Sequence, residues 1–84
     1  MSYEVHIIRS AEKEIERLPS TIYARLIKRT LALGDNPRPK GAKKLTGSEE
    51  YRMRAGDYRI LYLVDDKRRI VTVMAVGHRR EVYR

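Results

Sequence analysis

The chain has 84 residues and a formal charge of +8, from 19 Lys and Arg against 11 Asp and Glu. A chain this short is one domain, 1–84, that buries roughly 60–65 % of the surface exposed by its unfolded form, which excludes a multi-domain enzyme or an enclosed cofactor cavity. With no cysteine and only His6 and His78 as imidazoles, thiolate zinc sites, iron–sulfur clusters and disulfides are excluded, and neither a metal nor a cofactor is expected.

Tyr3–Arg9 is rich in β-branched residues with partial alternation and predicts a first strand ending at Ser10. Ser10 is a natural N-cap for a helix over Ala11–Leu18, with Glu12 and Glu14 in the first turn where the helix dipole favours acids. Ala11, Ile15 and Leu18 share a face, and Pro19 stops the helix. Ser20 then caps a second helix of about 14 residues. Its apolar stripe is Ile22, Leu26, Ile27, Thr30, Leu31 and Leu33, with Arg25, Lys28 and Arg29 opposite. Gly34 suits the C′ position, and Asn36-Pro37-Arg38-Pro39 completes the stop.

Arg38 to Glu50 is a polar, basic connector, after which the pattern changes to period two. Tyr51–Ala55, Tyr58–Val64 and Ile70–Gly77 read as strands joined by turns at Gly56-Asp57 and Asp65–Arg69. The last is apolar on both faces and predicts a central strand. The order β-α-α-β-β-β implies an α+β fold, with the N-terminal strand and a helical hairpin packed on one face of a small, twisted, mainly antiparallel sheet. No run of apolar residues is long enough to span a membrane and no signal peptide precedes the first strand, so the expected address is cytoplasmic.

The charge is uneven. Residues 1–37 hold six basic and five acidic side chains, and residues 38–84 hold thirteen and six, so the net is +1 against +7. An excess of this kind points to an anionic partner, most simply nucleic acid. A two-residue Gly56-Asp57 loop suits a type II′ hairpin turn and fixes the register, with Ala55 opposite Tyr58, Arg54 opposite Arg59 and Tyr51 opposite Tyr62. Tyr51, Met53, Ala55, Tyr58, Ile60 and Tyr62 then share the helix-side face, and Arg52, Arg54 and Arg59 share the open one. Two arginines directly opposite repel each other unless an anion such as phosphate lies between them. His78, Arg79 and Tyr83 gather after the last strand, and His6 reads as structural.

Tyr51–Tyr62 and Val76–Tyr83, with the opening Tyr-Glu-Val, the helical hairpin, Asn36-Pro37-Arg38 and Lys44-Leu45, resemble the RelE/ParE superfamily of type II toxin–antitoxin toxins over essentially the whole chain. The resemblance implies the RelE-like, microbial-RNase-type fold and metal-independent cleavage of mRNA in the ribosomal A site. In that chemistry the ribose 2′-OH attacks the adjacent phosphate, giving a 2′,3′-cyclic phosphate and a free 5′-OH. It further implies that Arg52 and Arg54 occupy two basic positions that are often lysines, that Arg59 contacts the scissile phosphate, that Arg79 lies near the leaving oxygen and that Tyr83 stacks on an mRNA base. Arginine is a poor general base, since it is effectively never neutral. His78 is therefore a candidate acid or base, although alternation turns it away from Arg79. Lys40, Lys43, Lys44, Arg25, Lys28 and Arg29 are candidates for gripping ribosomal RNA of the small subunit. A co-produced RelB-like antitoxin is implied, with promoter DNA bound only through it. Two alternatives are a ParE-like inhibitor of DNA gyrase, which shares Gly56-x-Tyr58-Arg59-x-x-Tyr62, and a catalytically silent RNA-binding module.

Overall fold

The computed structural model describes residues 2–78, so Arg79 and Tyr83 lie outside the described residues. The elements are β1 (Glu4–Ile7), α1 (Arg9–Glu16), α2 (Ser20–Ala32), β2 (Lys43–Lys44), β3 (Tyr51–Ala55), β4 (Tyr58–Asp65) and β5 (Ile70–His78). They form one five-stranded sheet in the order β1-β5-β4-β3-β2, with β1 parallel to β5 and every other pair antiparallel. The α+β architecture is the expected one. One strand was not anticipated: Lys43 and Lys44 of the connector pair with Arg52 and Tyr51 as a two-residue edge, too short to leave a periodic signal in sequence.

Helix α1 starts earlier than its sequence suggests. Ile8 is the N-cap and no side chain caps the helix, so Ser10 lies inside it. The Ile8 amide donates to the Val73 carbonyl (3.1 Å) as the last rung of the sheet, and the Glu12 amide then donates to the Ile8 carbonyl (2.9 Å). Sheet pairing, not a serine hydroxyl, sets this boundary. Similarly, Pro19 is the N-cap of α2 and Ser20 its first residue, with the Tyr23 amide donating to the Pro19 carbonyl at 2.8 Å. Proline is suited to this flank because its fixed φ costs the helix nothing before the hydrogen-bond ladder begins.

Ala11 and Ile15 of α1, and Leu26, Thr30 and Leu33 in and just after α2, are buried. They meet Met53, Ala55, Ile60, Tyr62, Val71, Val73 and Val76 from the sheet, and Val5 and Ile7 pack at the margin. Each large aliphatic so buried contributes roughly 1.5–3 kcal/mol relative to leaving it in water. Leu31 departs from its expected place in the stripe: it is 59 % exposed, because Leu26, Thr30 and Leu33 already complete the covered face. Gly34 follows the C-cap Leu33, and its role is close approach. A Cβ there would lie 2.9 Å from the Tyr3 carbonyl oxygen and 3.2 Å from Val5 Cγ2, and the Gly34 carbonyl accepts from the Tyr3 amide at 2.6 Å.

Strand β5 is interior, flanked by β1 and β4. The β1 ladder ends at Ile7 opposite Val73; farther along, α1 takes over that flank, and Glu14 Oε1 accepts from the Val76 amide at 3.1 Å. Between β4 and β5 the register shifts, so that Leu61 lies opposite Ala75 and Tyr62 opposite Val73. Met74 is the extra residue of this bulge. Val71, Val73 and Val76 all reach the core because the bulge changes which parity faces the helices.

Candidate nucleic-acid interface

The hairpin has the register that a two-residue turn demands: Tyr51 opposite Tyr62, Arg52 opposite Leu61, Met53 opposite Ile60, Arg54 opposite Arg59 and Ala55 opposite Tyr58. Gly56 supplies the positive φ of 65° at the first turn position, which only glycine adopts at little cost. Met53, Ala55, Ile60 and Tyr62 are buried under the helices. The three arginines lie on the opposite face.

That face carries two rows of cations. Lys43 of β2 pairs with Arg52, and Arg54 pairs with Arg59. The rows are two residues apart along β3, about 6.7 Å. Each is a like-charge cross-strand pair, unfavourable by itself. The second row differs from expectation in one respect: Arg54 is exposed, but Arg59 retains only 8 % of its surface. Arg59 stands on the middle strand of the sheet, flanked by Arg54 on β3 and by Gly77 on β5. A cation held in place and partly shielded from water acts on a neighbouring anion more strongly than one moving freely in solvent. Arg54 forms no ion pair among the described residues.

Beyond Arg52 the outer edge of β3 is uncovered, and a cleft of about 300 Å³ opens there. Arg29 of α2, Lys40, Gly41 and Lys43 of the connector, and Arg52, Met53 and Arg54 of β3 line it. Five cations and no carboxylate surround this space. The other sequence candidates are dispersed. Arg25 reaches toward the hairpin turn, with Nη1 3.5 Å from where a Cβ on Gly56 would stand. Lys28 is exposed on α2. Lys44 lies beside Glu49, Nζ to Oε2 3.7 Å, and lines a separate groove with Leu45, Thr46, Gly47, Ser48 and Glu49.

His78 is directly opposite Tyr58, and the two rings meet edge to face at 5.7 Å between centroids. Tyr58 packs against the core, so the imidazole is on the helix side of the sheet and Arg54 and Arg59 are on the other. His78 lines a cleft with Glu14, Arg17, Leu18, Tyr58, Val76 and Gly77 instead. His6 is in β1, 3.0 Å from Glu4 Oε1.

One cluster escaped the sequence. Arg38 donates from Nη1 and Nη2 to the two oxygens of Asp66 at 3.1 and 2.9 Å, and from Nε to the Tyr51 hydroxyl at 2.9 Å. Tyr3 donates to Asp66 Oδ1 at 2.6 Å, and Tyr62 donates to the Pro37 carbonyl at 2.7 Å. The hydrogen bonds from Arg38 and Tyr3 hold the Asp66 carboxyl down at about 2. Burial, then the neighbouring Tyr51, pushes the Tyr62 phenol up to about 12. The only sequence signal was composition: Pro37-Arg38 and Asp65-Asp66 both read as loop residues.

Comparisons with known proteins agree with one another. The family model described as the ParE toxin of the type II toxin–antitoxin system parDE matches residues 5–83. Toxin RelG of Mycobacterium tuberculosis is 32 % identical over 90 residues, covering 100 % of this chain and 99 % of the relative. The mRNA interferase toxin RelE of Escherichia coli K12 is 34 % identical over 88 residues, covering 99 % and 92 %. The crystal structure of the archaeal RelE–RelB complex from Pyrococcus horikoshii contains a chain that superimposes with a TM-score of 0.84 at 30 % identity, over 98 % of this chain and 100 % of that one. With its fold, its hairpin and its full-length matches in accord, this chain belongs to the RelE/ParE superfamily of toxins of type II toxin–antitoxin systems.

Proposed function

We propose that the protein is a ribosome-dependent endoribonuclease that cleaves mRNA in the A site and so stops translation. The observation that carries this reading is the Arg54–Arg59 pair, one cation exposed and the other nearly buried, beside a cleft with five cations and no acid. An E. coli relative bears the name mRNA interferase. In the reaction the ribose 2′-oxygen forms a bond to the adjacent phosphorus, and the bond from phosphorus to the 5′-oxygen breaks. The products are a 2′,3′-cyclic phosphate and a 5′-hydroxyl. Negative charge grows on the phosphoryl oxygens in the transition state, where preorganised guanidinium groups lower the barrier. Arg59 holds the scissile phosphate, Arg54 and Arg52 assist, Arg79 serves the leaving oxygen, and Tyr83 stacks on a base. Arginine stays charged at any working pH, so the 2′-OH proton passes to solvent or substrate, the departing 5′-oxygen takes its proton from solvent, and His78 on the far face takes a lesser part. Lys40, Lys43 and Arg29 extend the grip along the RNA backbone, with Arg25, Lys28 and Lys44 as outlying contacts on the ribosome.

The toxin works in the cytoplasm and is neutralised by a RelB-like antitoxin, as the RelE–RelB complex of a relative suggests. The ParE family model favours a second reading, inhibition of DNA gyrase by protein binding. Programmed ribosomes carrying A-site mRNA, naked RNA and a gyrase supercoiling assay separate them. Cleavage on ribosomes alone, lost in Arg59→Ala, supports the nuclease. Intact mRNA with blocked supercoiling overturns it in favour of the second.

A further inference from the structure

The basic cleft has two walls of unequal rigidity. Arg52 and Arg54 are on β3, paired to β4 along its whole length. Lys40 and Lys43 are on the connector, which leaves α2 after Leu33 and has regular pairing only at Lys43 and Lys44. Cations facing each other across about 300 Å³ repel, and the irregular wall is the one free to yield. Something must restrain it.

The restraint is at the near end of the connector. Pro37 is held through its carbonyl by the hydroxyl of Tyr62, which is buried in the core. One residue on, Arg38 forks onto Asp66 in the β4–β5 turn while its Nε binds Tyr51, the residue preceding Arg52. Its guanidinium carbon also stands 5.2 Å from the centre of the Tyr51 ring. Tyr3, just before β1, closes the cluster on Asp66. Four distant segments therefore meet around Arg38, and the Lys40–Lys43 stretch is tied to β3 on both sides: through Arg38 and Tyr51 before it, and through the Lys43–Arg52 and Lys44–Tyr51 rungs where it ends. A lone exposed ion pair would matter little. A bidentate fork sharing its acceptor with a tyrosine has the geometry that does.

We propose that Arg38 and Asp66 are positioning residues for RNA binding: their ion pair holds the Lys40–Lys43 wall at working distance from Arg52 and Arg54. The assignment rests on the cleft being an RNA site, and the two ideas fail separately in the test below.

Asp66→Asn, Arg38→Gln and Asp66→Glu are compared with the wild type by amide hydrogen exchange and by cleavage kinetics on programmed ribosomes. The Ala42 amide, which donates to the Pro39 carbonyl at 2.9 Å, reports on the connector wall. In Asp66→Asn and Arg38→Gln its exchange accelerates by about tenfold, and added salt reverses part of the change by screening the repulsion. KM rises about tenfold while kcat of the folded enzyme changes by less than about twofold, and Asp66→Glu restores both readouts. Loss of fold alone would lower the active fraction and leave KM unchanged. Unchanged Ala42 exchange in both variants, or faster exchange with unchanged KM, overturns the proposal. If the wild type cleaves no RNA, the nuclease reading falls, and the exchange measurement by itself decides the tether.

Discussion

Arg54 and Arg59 face each other across β3 and β4, yet Arg54 is exposed and Arg59 retains 8 % of its surface. Two neighbouring cations thus differ in what they can do. Arg54 repels its partner from the solvent side; Arg59 is fixed against the sheet. Arg54→Thr should relieve the repulsion and stabilise the fold by about 0.2–1 kcal/mol, a gain of a few degrees in melting temperature, while lowering cleavage. Arg59→Ala should reduce cleavage by roughly 10²–10³-fold, as expected when a charge-stabilising donor is removed. Arg59→Met, which keeps the aliphatic stem, separates lost charge from lost packing. Melting curves and cleavage rates on the three variants check this, and an Arg54→Thr protein that melts lower would contradict it.

His78 and Arg59 are on opposite faces, although their strands are neighbours. His78→Ala should therefore cost at least about tenfold less in cleavage rate than Arg59→Ala. Equal losses would identify the imidazole as the acid or base and require it to reach the substrate from the Tyr58 side.

Gly34 is where the end of α2 touches the start of β1. A methyl group at 2.9 Å from the Tyr3 carbonyl oxygen meets backbone, which cannot swing aside. Gly34→Ala should destabilise by about 1–3 kcal/mol through overpacking. Gly56→Ala fails for another reason, a φ of 65° with only ordinary contact to Arg25, and should cost about 1–2 kcal/mol. Urea midpoints measure both, with unchanged slopes expected.

The Arg38 cluster also predicts two pH limits. Asp66 has its carboxyl lowered from 3.8 to about 2, so its contribution is complete above about pH 4 and disappears as the pH falls toward 2. Tyr62 has its phenol raised from 10.0 to about 12, so its contribution is complete below pH 10 and disappears as the pH rises toward 12. Urea unfolding across both windows should lose the acid slope in Asp66→Asn and the alkaline slope in Tyr62→Phe. Slopes that persist in these variants would assign the limits to other groups.

The hairpin was legible because a two-residue loop fixes pairing locally, and pairing fixes faces. The burial of Arg59 was not, since it arises on the middle strand of the finished sheet, where the pairing with β5 runs through a register shift. Nor was the Arg38–Asp66 pair, which joins loops 28 residues apart that only the finished sheet brings together. The serines before the helices were misjudged because strand pairing at Ile8 and the backbone at Pro19 already set the boundaries. Composition announced a basic surface, but only the fold separates the five cations of the cleft from Arg25, Lys28 and Lys44.

Met74 has no partner on β4: Leu61 is opposite Ala75, and the next residue, Tyr62, is opposite Val73. Remove it, and the strand alternates regularly with Val71, Val73, Val76 and His78 still inward and Gly77 still beside Arg59. Deletion of Met74 or of its neighbour Ala75 keeps the remaining inward and outward side chains in place, whereas loss of Val71, Thr72 or Val73 would turn part of the strand over. The chain thus carries, inside an interior strand, a site where shortening by one residue leaves both faces of the sheet as they are.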